Sequence, residues 1–386
     1  MAHPEINNDS PYVYDSLHSN DENGDAILVA IVKATFAIDK TSQLVLADEQ
    51  ADITYTGETW QGNDNGAYIY EPETAFIKPT SDIVLVGHAH APKRGATKVE
   101  VSLNVGAYEK TVRVFGDRKW GKLFGIVTIS SAQPFEKIPL VYEKAFGGWD
   151  RNDPDAHKHK FEPRNPVGTG YHGRHHLQEG MPLPNLEDPY DLIKKYSDKP
   201  APAGFGFISP NWQPRVKYAG TYNAKWQEER MPLLPLNFDR RFFNAASPGL
   251  ITSGYLRGDE QVVIKNASTK GTLAFKLPGV PPPVVNVALR GFKKHTLTTN
   301  LDTVIINTDE DKVFLIWRHY LHVRNGPQDV VSIGITDGVT GKGATVYKEP
   351  DALVADSEKT VIRQAPPVGD DEGDTVVLRK PPPKQS

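Results

Sequence analysis

The sequence predicts a mainly β fold: an antiparallel, sandwich-like or barrel-like core, a long irregular Gly/Pro/aromatic segment, and a few short helices. Three observations carry this reading. Apolar residues recur at period two in many short runs. Helix-start signals are few and confined to the middle of the chain. Residues 146–256 are too rich in Gly, Pro and aromatic residues for regular structure.

Taken in order, residues 1–25 form an N-terminal lead of acids, Asn and Pro. In Ile27 to Ile38, Leu28, Ala30, Val32, Ala34, Phe36 and Ile38 share one face, and the other turns polar at Lys33 and Thr35. This predicts a strand covered on one side. Ile83 to Val86 follows as a short strand. Lys98 to Asn104 alternates strictly, and Gly106 opens a turn into Tyr108 to Phe115, so the pair reads as a β-hairpin. Leu123 to Ile129 is taken as one strand. Asp188-Pro189 before Tyr190 to Tyr196 has the residues that start a helix, and Asn223 to Arg230 is a second short helix. Later strands are expected at Gln261 to Lys265, Thr272 to Lys276, Val284 to Leu289, Leu301 to Asn307 and Lys312 to Arg318. The last two flank a polar connection of hairpin length, Thr308 to Asp311. Residues 26–338 are read as one β-rich domain, or two β subdomains joined by 146–256. Residues 339–386 are acidic and Pro-rich and are read as a flexible tail, within which Thr375 to Lys380 is a short apolar docking segment.

Composition excludes several functions. The 386 residues contain no cysteine, which removes disulfides, Cys-ligated zinc, iron-sulfur clusters and thiol nucleophiles. Charge is nearly balanced, 44 Lys and Arg against 48 Asp and Glu, so no global field attracts a nucleic acid. Residues 1–25 lack a basic start followed by an apolar run, and no stretch approaches the length of a membrane span. A soluble cytoplasmic protein is expected, with no nucleic-acid or membrane partner.

Motifs for chemistry are weak. Gly-x-Ser-x-Gly and the phosphate-binding loop are absent. His157, His159, His172, His175 and His176 crowd among acids, the residue types that bind zinc or iron, but the Pro and Gly between them deny helical ligand spacing. A metal-dependent hydrolase using loop 157–176 is therefore the alternative function. His88 and His90 point the same way from a strand end without a third ligand nearby in sequence. Arg164, Arg215, Arg230, Arg240, Arg241 and Arg257 sit among loops and are expected to lock irregular backbone, with Asp239, Asp259 and Glu229 as partners. No catalytic, metal-ligating or cofactor-binding residue is assigned, and no cofactor is expected. A carbohydrate-binding sandwich is a third, weaker reading.

An ordered series of strings then brings in a resemblance. Glu143-Lys144-Ala145-Phe146-Gly147-Gly148, Arg164-Asn165-Pro166-Val167-Gly168-Thr169-Gly170, Pro182 to Glu187, Pro202 to Gly206, Arg241-Phe242-Phe243-Asn244-Ala245-Ala246, Leu301 to Ile306 and Trp317-Arg318 together resemble the DUF2169 family, over roughly residues 27–335. The resemblance implies an accessory protein of bacterial type VI secretion, an adaptor or chaperone without established enzymatic activity. Its implied partners are a secreted effector and PAAR or VgrG spike proteins. On that basis the irregular segment drapes a β platform and presents binding residues, with Trp149, Arg164, Trp212, Trp226 and Arg257 as candidates.

Overall fold

The computed structural model describes residues 4–338 except 174, 175 and 292, and these lie in one compact unit. The tail at 339–386, with its segment 375–380, and His175 fall outside the described residues. In chain order, the strands of the three larger sheets are β1 (Glu5–Asn8), β2 (Val13–Asn20), β3 (Ala26–Ile38), β4 (Leu44–Leu46), β5 (Asp82–Val86), β6 (Lys98–Val105), β7 (Tyr108–Phe115) and β8 (Leu186–Glu187). They continue with β9 (Gln261–Lys265), β10 (Thr272–Lys276), β11 (Val284–Leu289), β12 (Lys293–Thr298), β13 (Asn300–Asn307), β14 (Lys312–His322) and β15 (Val330–Thr336).

The largest sheet runs β2-β3-β14-β13-β5, with β4 also on β3; the second runs β8-β7-β6-β9-β10 and the third β1-β15-β11-β12. Pairing is antiparallel except β5 with β13 and β1 with β15. Apolar side chains from all three sheets meet in one continuous core, including Ile31, Val101, Ile264, Val285 and Ile333. The fold is therefore mainly β and sandwich-like, as the alternation predicts.

Strand β3 is buried on both faces, where cover on one side was expected. The polar face is covered because residues 50–73 bring partners to it. The Lys33 ammonium donates to both Glu73 carboxylate oxygens at 2.8 and 3.1 Å and to the Asp52 carbonyl at 2.8 Å. The Gln50 side chain accepts from the Thr35 N–H and donates to its carbonyl, at 2.8 and 3.0 Å. Burial of charge without such partners would cost several kcal/mol, of order 3–5 when one partner of a pair is missing.

The β6–β7 hairpin forms as expected, with Val105 opposite Tyr108 and Gly106 at φ 58° in the turn. The β13–β14 connection spans 308–311 as expected. Helix α1 (Ala224–Glu229) begins where the Asn223 side chain accepts the Trp226 N–H at 3.0 Å. Residues 190–196 are not helical. Asp188 accepts the Tyr190 N–H at 2.9 Å, but Glu187 then takes the Ile193 N–H at 2.8 Å and Asp198 those of Lys194 and Lys195. Side-chain acceptors here replace the carbonyls of a helix.

The irregular segment is ordered by buried rings and by ion pairs to distant elements. Phe146, Phe205, Phe207 and Trp212 are all buried. Arg215 pairs with Glu71 and donates to the carbonyls of Ile208 (2.8 Å) and Phe242 (2.7 Å). Asp82 accepts from Lys78, the Asn244 side chain and the Ala245 N–H at 2.7, 3.0 and 2.9 Å, and Asp302 pairs with Arg318. Of the expected arginine partners, Asp239 holds Arg241 and Asp259 holds Arg257, whereas Arg230 binds the carbonyls of Leu234 and Glu22.

Candidate protein-binding surface

Residues 120–129 form a two-stranded hairpin, Trp120–Leu123 with Ile126–Ile129, where a single strand was expected. The reversal occurs at Phe124 and Gly125, which adopt φ 49° and 82°. A turn with both central residues at positive φ favours Asn-Gly, and a β-carbon in this region costs about 1–2 kcal/mol. Phenylalanine is thus a poor choice for the turn, and it is also 96% exposed. Leu123 and Ile126 beside it are 58% and 68% exposed. Neither backbone geometry nor solvation favours an apolar tip here, which makes it a candidate contact surface.

The root of the hairpin is packed into the body of the domain. Trp120 is buried in a satellite core with Phe146, Leu183 and Ile193, against which Ile129, Tyr171, Met181 and Tyr196 pack. Its N–H donates to the Met181 carbonyl at 2.9 Å, and its carbonyl accepts from Gly180 at 2.7 Å. Its ring meets Tyr196 edge-on at 5.9 Å, and Tyr196 stacks on His172 at 3.8 Å. Among the described residues the hairpin strands pair only with each other. Three residues of extended chain carry Leu123 about 10 Å beyond Trp120.

The same satellite core borders a cavity of about 250 Å³ lined by Gly147, Gly148, Trp149, Gly170, Tyr171 and His172, among others. The glycines of the two motif strings exist for close backbone approach. A β-carbon on Gly168 would stand 2.4 Å from the Asn165 amide nitrogen and 2.7 Å from the Ala145 carbonyl. Asn165 is fully buried and donates to the carbonyls of Tyr142 and Phe146 at 2.7 and 3.0 Å. Asp150 fixes the far loop by accepting from Asn152, from the Gly173 N–H at 2.5 Å and from His176 Nδ1 at 2.6 Å. Burial pushes its carboxyl up, but these donors outweigh burial and hold it down at about 2.

The five candidate residues separate. Trp149 is 44% exposed, stacked on Phe161 at 4.5 Å with Arg151 above it, and lines the cavity beside the hairpin root. Trp212 is only 3% exposed and meets Tyr142 edge-on, so it is scaffold and presents no ring to a partner. Arg164 grips Glu162 at 2.6 and 2.9 Å and the Pro200 carbonyl at 3.1 Å, a loop clamp. Trp226 is partly buried against Tyr222 and donates to the Leu233 carbonyl at 2.9 Å. The Arg257 side chain is 81% exposed, with Asp259 at 3.3 Å. In loop 157–176, His159 meets the Asp153 carbonyl, His172 the Tyr196 ring and His176 the Asp150 carboxylate. Among the described residues, the trio spaced to share an ion is Asp21, Asp25 and His322, away from that loop.

A model of the family described as uncharacterized protein conserved in bacteria (DUF2169) matches residues 23–318. No curated protein and no solved structure matches the chain.

Proposed function

Because the chain belongs to the DUF2169 family, we propose that it is a non-enzymatic adaptor or chaperone that binds a type VI secretion effector or a PAAR or VgrG spike protein in the cytoplasm and assists loading onto the spike. The observation that supports a binding role is the hairpin tip, Leu123-Phe124-Gly125-Ile126, apolar and exposed on a packed root. In this reading the tip enters an apolar cleft of the partner. Burial of one such side chain is worth about 1.5–3 kcal/mol, enough to make Phe124 a hot spot. Trp149 and its cavity supply a second contact near the root.

The test is capture of the effector and spike proteins encoded beside the gene, using the full chain and a Phe124→Ser, Ile126→Ser variant. The expected result is loss of capture at unchanged thermal stability. Undiminished capture would overturn the role of the tip, and failure of the unaltered chain to capture either class would overturn the adaptor reading.

A further inference from the structure

A larger cavity, about 370 Å³, lies between the short pair Glu58–Thr59 with Tyr68–Tyr70 and the β13–β14 turn. It is lined by Trp60, Tyr68, Tyr70 and Tyr142, by Leu85 and Leu140, and by Glu58, Asp309 and Glu310, among others. No lysine or arginine lines it among the described residues. His88 Nδ1 lies 2.7 Å from Asp309 Oδ2, and the His88 ring meets Trp60 edge-on at 6.4 Å. The Asn307 amide donates to the Tyr70 hydroxyl oxygen at 2.7 Å and to Glu310 at 3.0 Å, and Lys312 reaches Glu310 at 3.2 Å. The Glu58 carboxylate has no hydrogen-bond or ion-pair partner among the described residues.

Two further features bear on the site. The Tyr70 hydroxyl is pushed up to about 12, first by burial and then by the fields of Glu310, Glu58 and Asp309, so three carboxylates act on one point of the wall. Gln61, also in the wall, is held at φ 56°, a conformation a non-glycine residue rarely adopts. A lining of aromatic and apolar side chains with carboxylates among them disfavours anions. It suits a cation with a methylene stem, which is favoured by both the ring quadrupoles and the negative charge.

We infer that this cavity binds the guanidinium or ammonium side chain of an arginine or lysine presented by a partner polypeptide, with the cation at Glu58 and Asp309 and the stem along Tyr68 and Tyr70. This site is independent of the hairpin tip, and the Phe124→Ser, Ile126→Ser variant should bind the probe below unchanged.

The experiment titrates the full chain with acetyl-Gly-Arg-Gly-amide and with its citrulline counterpart, following calorimetry and Trp60 fluorescence, the latter assigned with a Trp60→Phe variant. The arginine peptide is expected to bind at least about ten-fold more tightly than the uncharged one. Glu58→Gln, at an exposed position that leaves the fold intact, is expected to weaken it by about five-fold, the scale of one nearby charge in water. Salt at about 0.5 M should weaken it further. Equal binding of the citrulline peptide, or no effect of Glu58→Gln, would overturn the inference. Agmatine binding as tightly as the peptide would overturn the polypeptide as its source.

Discussion

Replacing Arg318 with methionine tests whether the buried charges hold the sheets to the irregular segment. The Arg318 guanidinium pairs with Asp302 and donates to the Glu73 carbonyl at 2.9 Å, and both side chains are almost wholly buried. Methionine fills the apolar part of the space and removes the charge. Asp302 keeps the Thr303 hydroxyl at 2.8 Å, while the nearby Lys78 is already held by Asp82 at 2.7 Å. A buried carboxylate stripped of its partner costs about 3–5 kcal/mol, roughly 4–7 °C in Tm for a compact unit of this size. Arg113→Met, at an exposed pair with Glu100, is expected to change stability by about 1 kcal/mol or less. The deficit of Arg318→Met also carries a pH signature. Burial raises the Asp302 carboxyl above its unfolded value, and loss of the guanidinium raises it further. Between those two values the native state holds a proton that the unfolded chain has released, so stability falls as pH rises. The unaltered chain shares this fall up to its own raised Asp302 value, so the deficit should stay constant at acid pH and grow only above that value, toward neutrality. Urea denaturation followed by circular dichroism at several pH values measures it. The combined Asp302→Leu, Arg318→Met variant should recover most of the loss. A single variant within 1 kcal/mol of the unaltered chain, or a double variant no better than the single, would refute the reasoning.

Gly168→Ala places a methyl group against the Asn165 amide and the Ala145 carbonyl, and is expected to lower stability by about 1–3 kcal/mol, measured by the same denaturation. Gly180→Ala would also be costly, but through its φ of 88° alone, since its β-carbon meets nothing within 4 Å; the two variants separate crowding from backbone strain. Asp150, held at about 2, contributes about 2 kcal/mol that is present above its unfolded value near 3.8 and lost as pH falls through 2. The urea midpoint of Asp150→Asn should accordingly fall below that of the unaltered chain at pH 6 and approach it toward pH 3; a constant gap would count against the assignment.

Much of the β core was legible because alternation is a local signal. Val99, Val101 and Leu103 each face inward and their neighbours outward, so β6 and its partner β7 read directly from the chain. The helix at Asn223 was legible for the same reason, since the cap and the N–H it accepts are three residues apart. The missed features depend on distance or on exceptions to preference. Lys33 looked like a solvent-facing residue because Glu73, its partner, is forty positions away in sequence. The turn at Phe124-Gly125 was hidden because phenylalanine is a strand former that rarely occupies positive φ, so the run 123–129 read as one strand. Trp149 and Trp212 were equal candidates in the sequence, and the structure exposes the first and buries the second. Composition identifies both as aromatic within the irregular segment, and only packing distinguishes the ring that faces out from the ring that holds the segment down.

The pairing of β3 with β14 sets an order of events during synthesis. Ala26 to Ile38, among the most apolar stretches of the chain, pairs early with β2 but finds its neighbour on the other edge only in Lys312 to His322. At about 5–20 residues per second, the ribosome takes roughly 15–60 s to deliver that neighbour after β3 emerges. In the interval β2 covers one side of β3, and the other is an open row of amides and carbonyls flanked by Ile, Leu and Val. Completion of the largest sheet is therefore a late closure between early and late parts of the chain. Yield in a heterologous host should depend on what shields that open edge while it waits, more than on the stability of the finished fold.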